Sequence, residues 1–153
     1  MICLLVWSCN DNSQANQEIV DKYVTAVQQL DYQEALDQLA DDYIGYGPSV
    51  GDSIYKDQVE SSMKYNIENI YESIEYKKSR SLAVHIPDGD NKGEWVSHWA
   101  RLHINYQDGN SAEIMANSIY QLEGGKIIKS YTFYNEADVL EQLGYVFVNL
   151  QDY

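Results

Sequence analysis

The sequence predicts an α+β fold in which three N-terminal helices pack on one face of a curved antiparallel sheet and a short helix ends the chain. Two patterns support this prediction. Apolar residues recur every three or four positions in the first half of the chain, as in helices, and then every second position, as in strands. Turn-forming residues divide the second half into successive hairpins, which form an antiparallel meander. A chain of 153 residues suffices for one domain with one core.

The helices are predicted from apolar stripes and capping residues. The first helix is expected over residues 17–30. Asp31 followed by Glu34 resembles a capping box and predicts a short second helix. A short strand then ends at the turn Gly47-Pro48. From about Ser53 a third stripe predicts a helix whose last turn, near Ile74, borders on strand; its apolar positions are Val59, Met63, Ile67, Ile70 and Ile74.

The strand predicted from Glu94 to Tyr106 has two different faces. The core face is expected to comprise Val96, His98, Ala100, Leu102, Ile104 and Tyr106. His98 would be either a core histidine with a hydrogen-bond partner or a ligand contact. The opposite face combines Trp95, Trp99 and Arg101, a composition typical of interfaces, the alternative being a surface that the monomer itself covers.

Composition excludes several classes of function. Acidic residues outnumber basic ones by 24 to 10, and the net charge of −14 disfavours nucleic acid and anionic lipid surfaces as partners. Both cysteines, Cys3 and Cys9, lie near the N-terminus, so the domain has no disulfide framework and no cysteine-based metal site. The three histidines form no metal-ligand pattern, and no nucleotide-binding motif is present. The sequence therefore predicts no metal and no cofactor.

The N-terminus resembles a bacterial lipoprotein signal. A short apolar run ends in Val6-Trp7-Ser8-Cys9, which is similar to a lipobox with Cys9 as the lipidated residue, although no basic residue precedes it and Trp7 is bulky. Residues 1–9 are then a signal, residues 10–16 a tether and residues 17–153 the domain. This resemblance implies a lipid-anchored protein of the bacterial cell envelope, periplasmic or associated with the outer membrane; the alternative is an incidental apolar N-terminus.

The most specific segment is Gly125 to Gly144, GKIIKSYTFYNEADVLEQLG, which joins a strand to a helix at Asn135. It resembles, without a gap, a segment of the type GKIVEEWVYFDRLGLLRQLG in the SnoaL-like, polyketide-cyclase-like branch of the nuclear-transport-factor-2-like superfamily. The resemblance implies a cone-shaped α+β barrel with a pocket between sheet and helices. It also implies a homodimer, because related folds commonly dimerise through the outer face of the sheet.

The resemblance places the acid/base aspartate of the family's cyclases on Asn135. An amide cannot exchange a proton near neutral pH, and the strand from Ser111 to Leu122 lacks the histidine that those cyclases use. Asn135 is expected to be a helix N-cap, with a ligand contact as the alternative. Weak catalytic candidates are Asp42 and His98. The expected ligand-binding residues are Tyr23, Tyr46, His98, Tyr131, Phe133 and Asn135.

These observations predict a small-molecule-binding, non-catalytic SnoaL-like envelope lipoprotein with an aromatic-lined pocket. Its partners would be an unknown small organic ligand, a second copy of the chain, and the membrane only through the lipid anchor. One alternative is a cyclase- or isomerase-type enzyme that uses Asp42 and His98 as a relocated acid/base pair. Another is a structural or protein-interaction module that uses the face of Trp95, Trp99 and Arg101.

Overall fold

The computed structural model describes residues 12–149 and residue 151. Its helices are α1 (Ser13–Gln28), α2 (Tyr32–Asp37), α3 (Lys56–Asn69) and α4 (Glu136–Gln142). The α1 helix begins four residues before the predicted start, and its first turn includes the buried Asn16. Part of the predicted tether, residues 10–16, therefore belongs to the folded domain. The predicted signal and lipobox, including Cys9, lie outside the described residues.

The predicted cap of the second helix is confirmed. Asp31 Oδ1 accepts a hydrogen bond from the backbone N–H of Glu34 at 3.1 Å, and α2 begins at the next residue. The third helix begins later than predicted, because residues 53–55 form a short strand. Among the described residues, no helix is both long and apolar enough to cross a membrane.

Six strands form one sheet. They are β1 (Leu39–Tyr46), β2 (Ser53–Tyr55), β3 (Tyr71–Ile86), β4 (Gly93–Tyr106), β5 (Ser111–Glu123) and β6 (Lys126–Phe133), in the order β2-β1-β6-β5-β4-β3. The predicted meander from β3 to β6 is confirmed. The sheet is mixed rather than wholly antiparallel, because β1 pairs with β6 in the parallel direction. Ile74 lies within β3 and not at the end of a helix.

The faces of β4 are as predicted. Val96, His98, Ala100, Leu102 and Ile104 are buried on the face covered by helices, which we call the inner face. Val20 and Val24 of α1 belong to the same buried cluster as Val96. The opposite, outer face of the sheet carries Trp95, Trp99 and Arg101 on β4. Because successive side chains of a strand alternate between faces, each strand contributes to two separate surfaces.

Among the register shifts of the sheet, one bulge in β3 and one in β6 affect strands that border the space between sheet and helices. In β3 the pairing partners step from Lys77 with Arg101 to Arg80 with Trp99, so one β3 residue is extra. Lys78 adopts a positive φ of 53° at this bulge. A bulge bends its strand and increases the local twist, and this gives the curvature that a cone requires.

The second bulge lies in β6 and reverses its faces. Ile127 pairs with Leu122, but Lys129 pairs with Gln121, so Ile128 is the extra residue. Ile127 is fully buried on the inner face. Beyond the bulge, Ser130 and Thr132 occupy the inner positions, as their paired β5 residues show. Tyr131 and Phe133 lie on the outer face. Tyr131 and Phe133 therefore do not share the face of Ile127, as an uninterrupted alternation along the strand would predict.

Candidate functional site

A cavity of about 270 Å³ lies between the inner face of the sheet and the helices. Val27 of α1 and Val139 of α4 close it from the helical side. The middle of the sheet supplies small side chains, since Ala100 of β4 lies directly opposite Ala116 of β5. The volume is close to the lower limit of about 300 Å³ for typical ligand sites, so the cavity suits a small molecule.

Tyrosine dominates the polar part of the lining. The five cavity tyrosines are Tyr71, Tyr76, Tyr106, Tyr120 and Tyr134. Burial raises the pKa of each of these hydroxyls above its ordinary value. All five are therefore neutral near pH 7, and they offer hydroxyl groups and aromatic faces to a ligand.

His98 is the one histidine in the described lining of the cavity. Its side chain is only 3% exposed, and Nε2 lies 2.5 Å from the Ser79 hydroxyl oxygen. Burial lowers the pKa of His98, an effect that the negative charge of Asp21 partly offsets. The imidazole is therefore neutral near pH 7, and Ser79 on β3 fixes the orientation of its ring.

The remaining polar groups of the cavity are uncharged. The hydroxyl oxygens of Ser118 and Thr132 lie 3.1 Å apart on neighbouring strands. No Asp, Glu, Lys or Arg side chain is part of the described lining. Across residues 12–149, no group of three or more His, Cys, Asp or Glu side chains is arranged to hold a metal ion. The cavity can therefore accept hydrogen bonds and donate them, but it presents no carboxylate as a base.

The structure does not bring the two catalytic candidates together. His98 lines the cavity, whereas Asp42 is exposed on β1 and is not part of the lining. Asn135 is confirmed as the N-cap of α4, since its Oδ1 accepts a hydrogen bond from the Asp138 N–H at 3.3 Å. Its side chain is exposed and lies outside the lining, although the preceding residue, Tyr134, points to the cavity.

The other expected ligand-binding residues lie elsewhere. Tyr23 of α1 packs edge-to-face on Tyr120 at 5.7 Å between ring centroids and does not line the cavity. On the outer face, Tyr46 stacks on Tyr131 at 5.1 Å, and Tyr131 stacks on Trp95 at 6.2 Å. Of the six expected residues, His98 alone is therefore in the described lining of the cavity.

The outer face contains an apolar groove of about 470 Å³, which we call the outer groove. Its lining includes Val84, Ile86, Trp95, Ile119, Tyr131 and Phe133. Trp95 is only 5% exposed, and its indole N–H donates to the Asn91 carbonyl at 2.7 Å, so this tryptophan is already covered within one chain. Trp99, on the same face of β4 but outside the lining of the groove, is 44% exposed, and the exposed Arg101 lies 3.9 Å from Glu113.

None of the five cavity tyrosines was among the expected ligand-binding residues, although Tyr106 was expected on the core face of β4. Tyr120 shares the parity of Leu122, which the period of two in β5 would have placed inward. Tyr71 and Tyr76 fall where the predicted third helix gave way to strand, so their faces were undefined. Tyr134 lies beyond the β6 bulge, where the alternation no longer holds.

No protein-family model and no curated protein sequence matches the chain. Solved structures do. A protein described as a polyketide cyclase from Xanthomonas campestris pv. campestris is 15% identical, with a TM-score of 0.72 over 86% of this chain and 98% of that one. An LEH-like epoxide hydrolase from M. tuberculosis is 15% identical, with a TM-score of 0.68 over 86% and 91% of the two chains.

A third structure, from Catenulispora acidiphila, has a ketosteroid isomerase-like fold and is in complex with trimethylamine. It is 15% identical to this chain, with a TM-score of 0.65 over 86% of this chain and 98% of its own. Such likenesses establish a fold and not an activity. The chain has the cone-shaped α+β fold of the nuclear-transport-factor-2-like superfamily, with polyketide cyclases among its structural neighbours.

Proposed function

We propose that this protein binds a small organic molecule in the cone cavity without transforming it. The observation that carries the proposal is the lining: aromatic rings, hydroxyls and apolar side chains surround an open volume, and no carboxylate of the described residues lines it. Pockets with a mainly apolar lining and a few placed polar groups are typical of ligand sites. The structural neighbours, which include an epoxide hydrolase, a cyclase and a complex with trimethylamine, support small-molecule use of this fold.

The geometry gives little support to the alternative of an enzyme with a relocated acid/base pair. Proton abstraction requires a base within hydrogen-bond reach of the substrate. Asp42 is exposed and outside the cavity, and Asn135 is occupied as a helix cap. His98 is neutral and already contacts Ser79, so it is better suited to holding a ligand than to cycling a proton alone.

Binding is tested by ligand-detected NMR with a mixture of neutral and charged fragments. The wild type is expected to give saturation-transfer signals with a subset of them. Ala116→Phe places a ring in the cavity and should remove these signals, whereas Ala137→Phe changes an exposed position of α4 and should not. Signals that persist in Ala116→Phe, or no binding by any fragment to the folded wild type, would contradict the proposal.

The proposal includes a location, the bacterial cell envelope, with Cys9 as the lipid-anchored residue. Its support is the sequence Val6-Trp7-Ser8-Cys9 at the end of an apolar run. Expressed with its complete N-terminal signal in a bacterial host, the wild type should partition with membranes and Cys9→Ser should not. Equal partitioning of the two proteins would refute the proposed lipid anchor.

The proposal also includes a homodimer that forms through the outer face. The outer groove and the half-exposed Trp99 provide apolar surface that one chain leaves uncovered, and tryptophan often dominates the energy of an interface. Trp99→Glu should convert the dimer to a monomer in light scattering with an unchanged far-UV spectrum. Arg101→Glu changes a charge at the rim and should weaken the dimer less. A wild type that is monomeric at every accessible concentration would refute this part.

A further inference from the structure

We propose that the open end of the cone cavity is an aromatic box for the alkylated ammonium group of a small organic cation. This inference rests on the proposed function, since it names the chemical class of the ligand. Five tyrosine rings share a cavity of about 270 Å³, and no cationic side chain of the described lining competes for their faces. The faces of tyrosine rings carry partial negative charge and attract cations placed within about 6 Å of the ring centroid.

The tyrosine walls of the box come from β3, from β4 and from the residue that follows β6. Tyr71 begins β3 and is paired in register with Tyr106 at the end of β4. Their ring centroids lie 5.9 Å apart at an interplanar angle of 47°, so the two rings form a corner. Tyr134, directly after β6, lines the same end of the cavity together with Val139 of α4. All four side chains are partly exposed, as expected at an opening rather than in a closed core.

Acidic residues lie near these tyrosines in the chain: Asp108 follows Tyr106 by two residues, and Glu136 follows Tyr134 by two. Burial raises the pKa of Tyr106, and the negative charge of Asp108 adds to the effect. Burial likewise raises the pKa of Tyr134, to which Glu136 and Asp52 add. These carboxylates are therefore close enough to act on the tyrosine hydroxyls. They attract a cation to the opening and repel an anion, in agreement with a net charge of −14 for the whole chain.

The chemistry of the cavity determines which class of cation the box can bind. Burial lowers the pKa of His98, so a compact protonated group is disfavoured deep in the cavity. A primary ammonium group placed against the tyrosine rings would lose strong hydration, and the described lining offers it no carboxylate as a partner, since the acidic residues near the opening are not part of that lining. An ammonium group that carries alkyl substituents is weakly hydrated and presents apolar surface to the rings, which is the form that aromatic boxes recognise.

The test compares choline with dimethylbutanol, its uncharged isostere in which carbon replaces nitrogen. Both are titrated calorimetrically into the wild-type protein at low ionic strength. Choline is expected to bind at least about tenfold more tightly, which corresponds to about 1.4 kcal/mol, within the range of a desolvated cation–π contact. Equal binding of both compounds would refute the preference for a cation and leave the proposal of small-molecule binding intact. Binding of neither would also refute that preference, while the fragment experiment decides separately whether the cavity binds small molecules.

Variants locate the effect at the box. Tyr106→Phe keeps the ring and should keep most of the preference for choline, whereas Tyr106→Leu should lose it. Tyr65→Leu removes an exposed tyrosine on α3 and serves as the matched control. Asp108→Asn keeps a residue type that suits the turn. It should weaken the binding of choline severalfold without changing the binding of dimethylbutanol. A preference for choline that survives Tyr106→Leu in a folded protein would overturn the assignment.

Discussion

The buried pair of Tyr43 and Ser130 joins β1 to β6 and gives the sharpest prediction about stability. The two hydroxyl oxygens lie 2.7 Å apart, and both residues are about 4% exposed. Tyr43→Phe removes one hydroxyl and leaves that of Ser130 buried without its partner, which should cost about 1–3 kcal/mol of unfolding free energy. Ser130→Ala should cost a similar amount. The double variant should cost less than the sum, by about 1–2 kcal/mol, because neither hydroxyl is then left unpaired.

Gly45 provides an independent check on the same pair. A Cβ atom at Gly45 would lie 2.6 Å from the Tyr43 hydroxyl oxygen and 3.1 Å from Cγ2 of Ile54. Gly45→Ala should therefore be destabilising in the wild type. In the Tyr43→Phe background the closest atom is absent, so the penalty of Gly45→Ala should be smaller there, although the contact with Ile54 remains.

Both cycles are measured by equilibrium unfolding in urea, with circular dichroism as the signal and equal m-values as the condition for comparing free energies. Strict additivity of Tyr43→Phe and Ser130→Ala would show that the two hydroxyls do not interact. A penalty for Gly45→Ala that is the same with Tyr43 and with Phe at that position would show that the close approach does not exist in solution.

Two further predictions concern α4 and the cavity histidine. Asn135→Ala should lower the unfolding free energy by about 1 kcal/mol in urea, whereas Asn135→Asp should be neutral or slightly stabilising, because a carboxylate also caps a helix and favours its positive end. A neutral Ala variant would contradict the cap. Because burial lowers the pKa of His98 below its ordinary 6.5, the unfolded chain binds more protons and stability falls as the pH drops below 6.5. His98→Gln should flatten that decline in urea midpoints measured across this pH; an identical decline would contradict it.

The sequence predicted features that depend on local chemistry. The cap at Asp31 and the cap at Asn135 both follow from residue types within a few positions. The inner face of β4 followed from its period of two, because no bulge interrupts that strand's pairing with β5. The resemblance of the segment from Gly125 added the cone, which the structural neighbours confirm.

Features that depend on distant strands were not predictable in the same way. The parallel pairing of β1 with β6 joins segments about ninety residues apart, and no local pattern encodes it. The bulge at Ile128 has no glycine or proline to mark it, yet it moves Tyr131 and Phe133 from the inner to the outer face. A shift of one residue in pairing reverses every later side chain, so two of the six expected ligand-binding residues, Tyr131 and Phe133, were assigned to the wrong face.

The small residues at the centre of the inner face show that stability alone does not explain this sheet. Ala100 faces Ala116 across the strands, and Ser118 faces His98, where larger apolar side chains would fill the cavity and bury more surface. Ala116→Leu should therefore raise the unfolding free energy or leave it nearly unchanged while it reduces the space for a ligand. Such a trade-off is expected where a protein keeps an opening for binding at some expense of packing. It distinguishes a maintained site from an accidental void, which could be filled without loss of function.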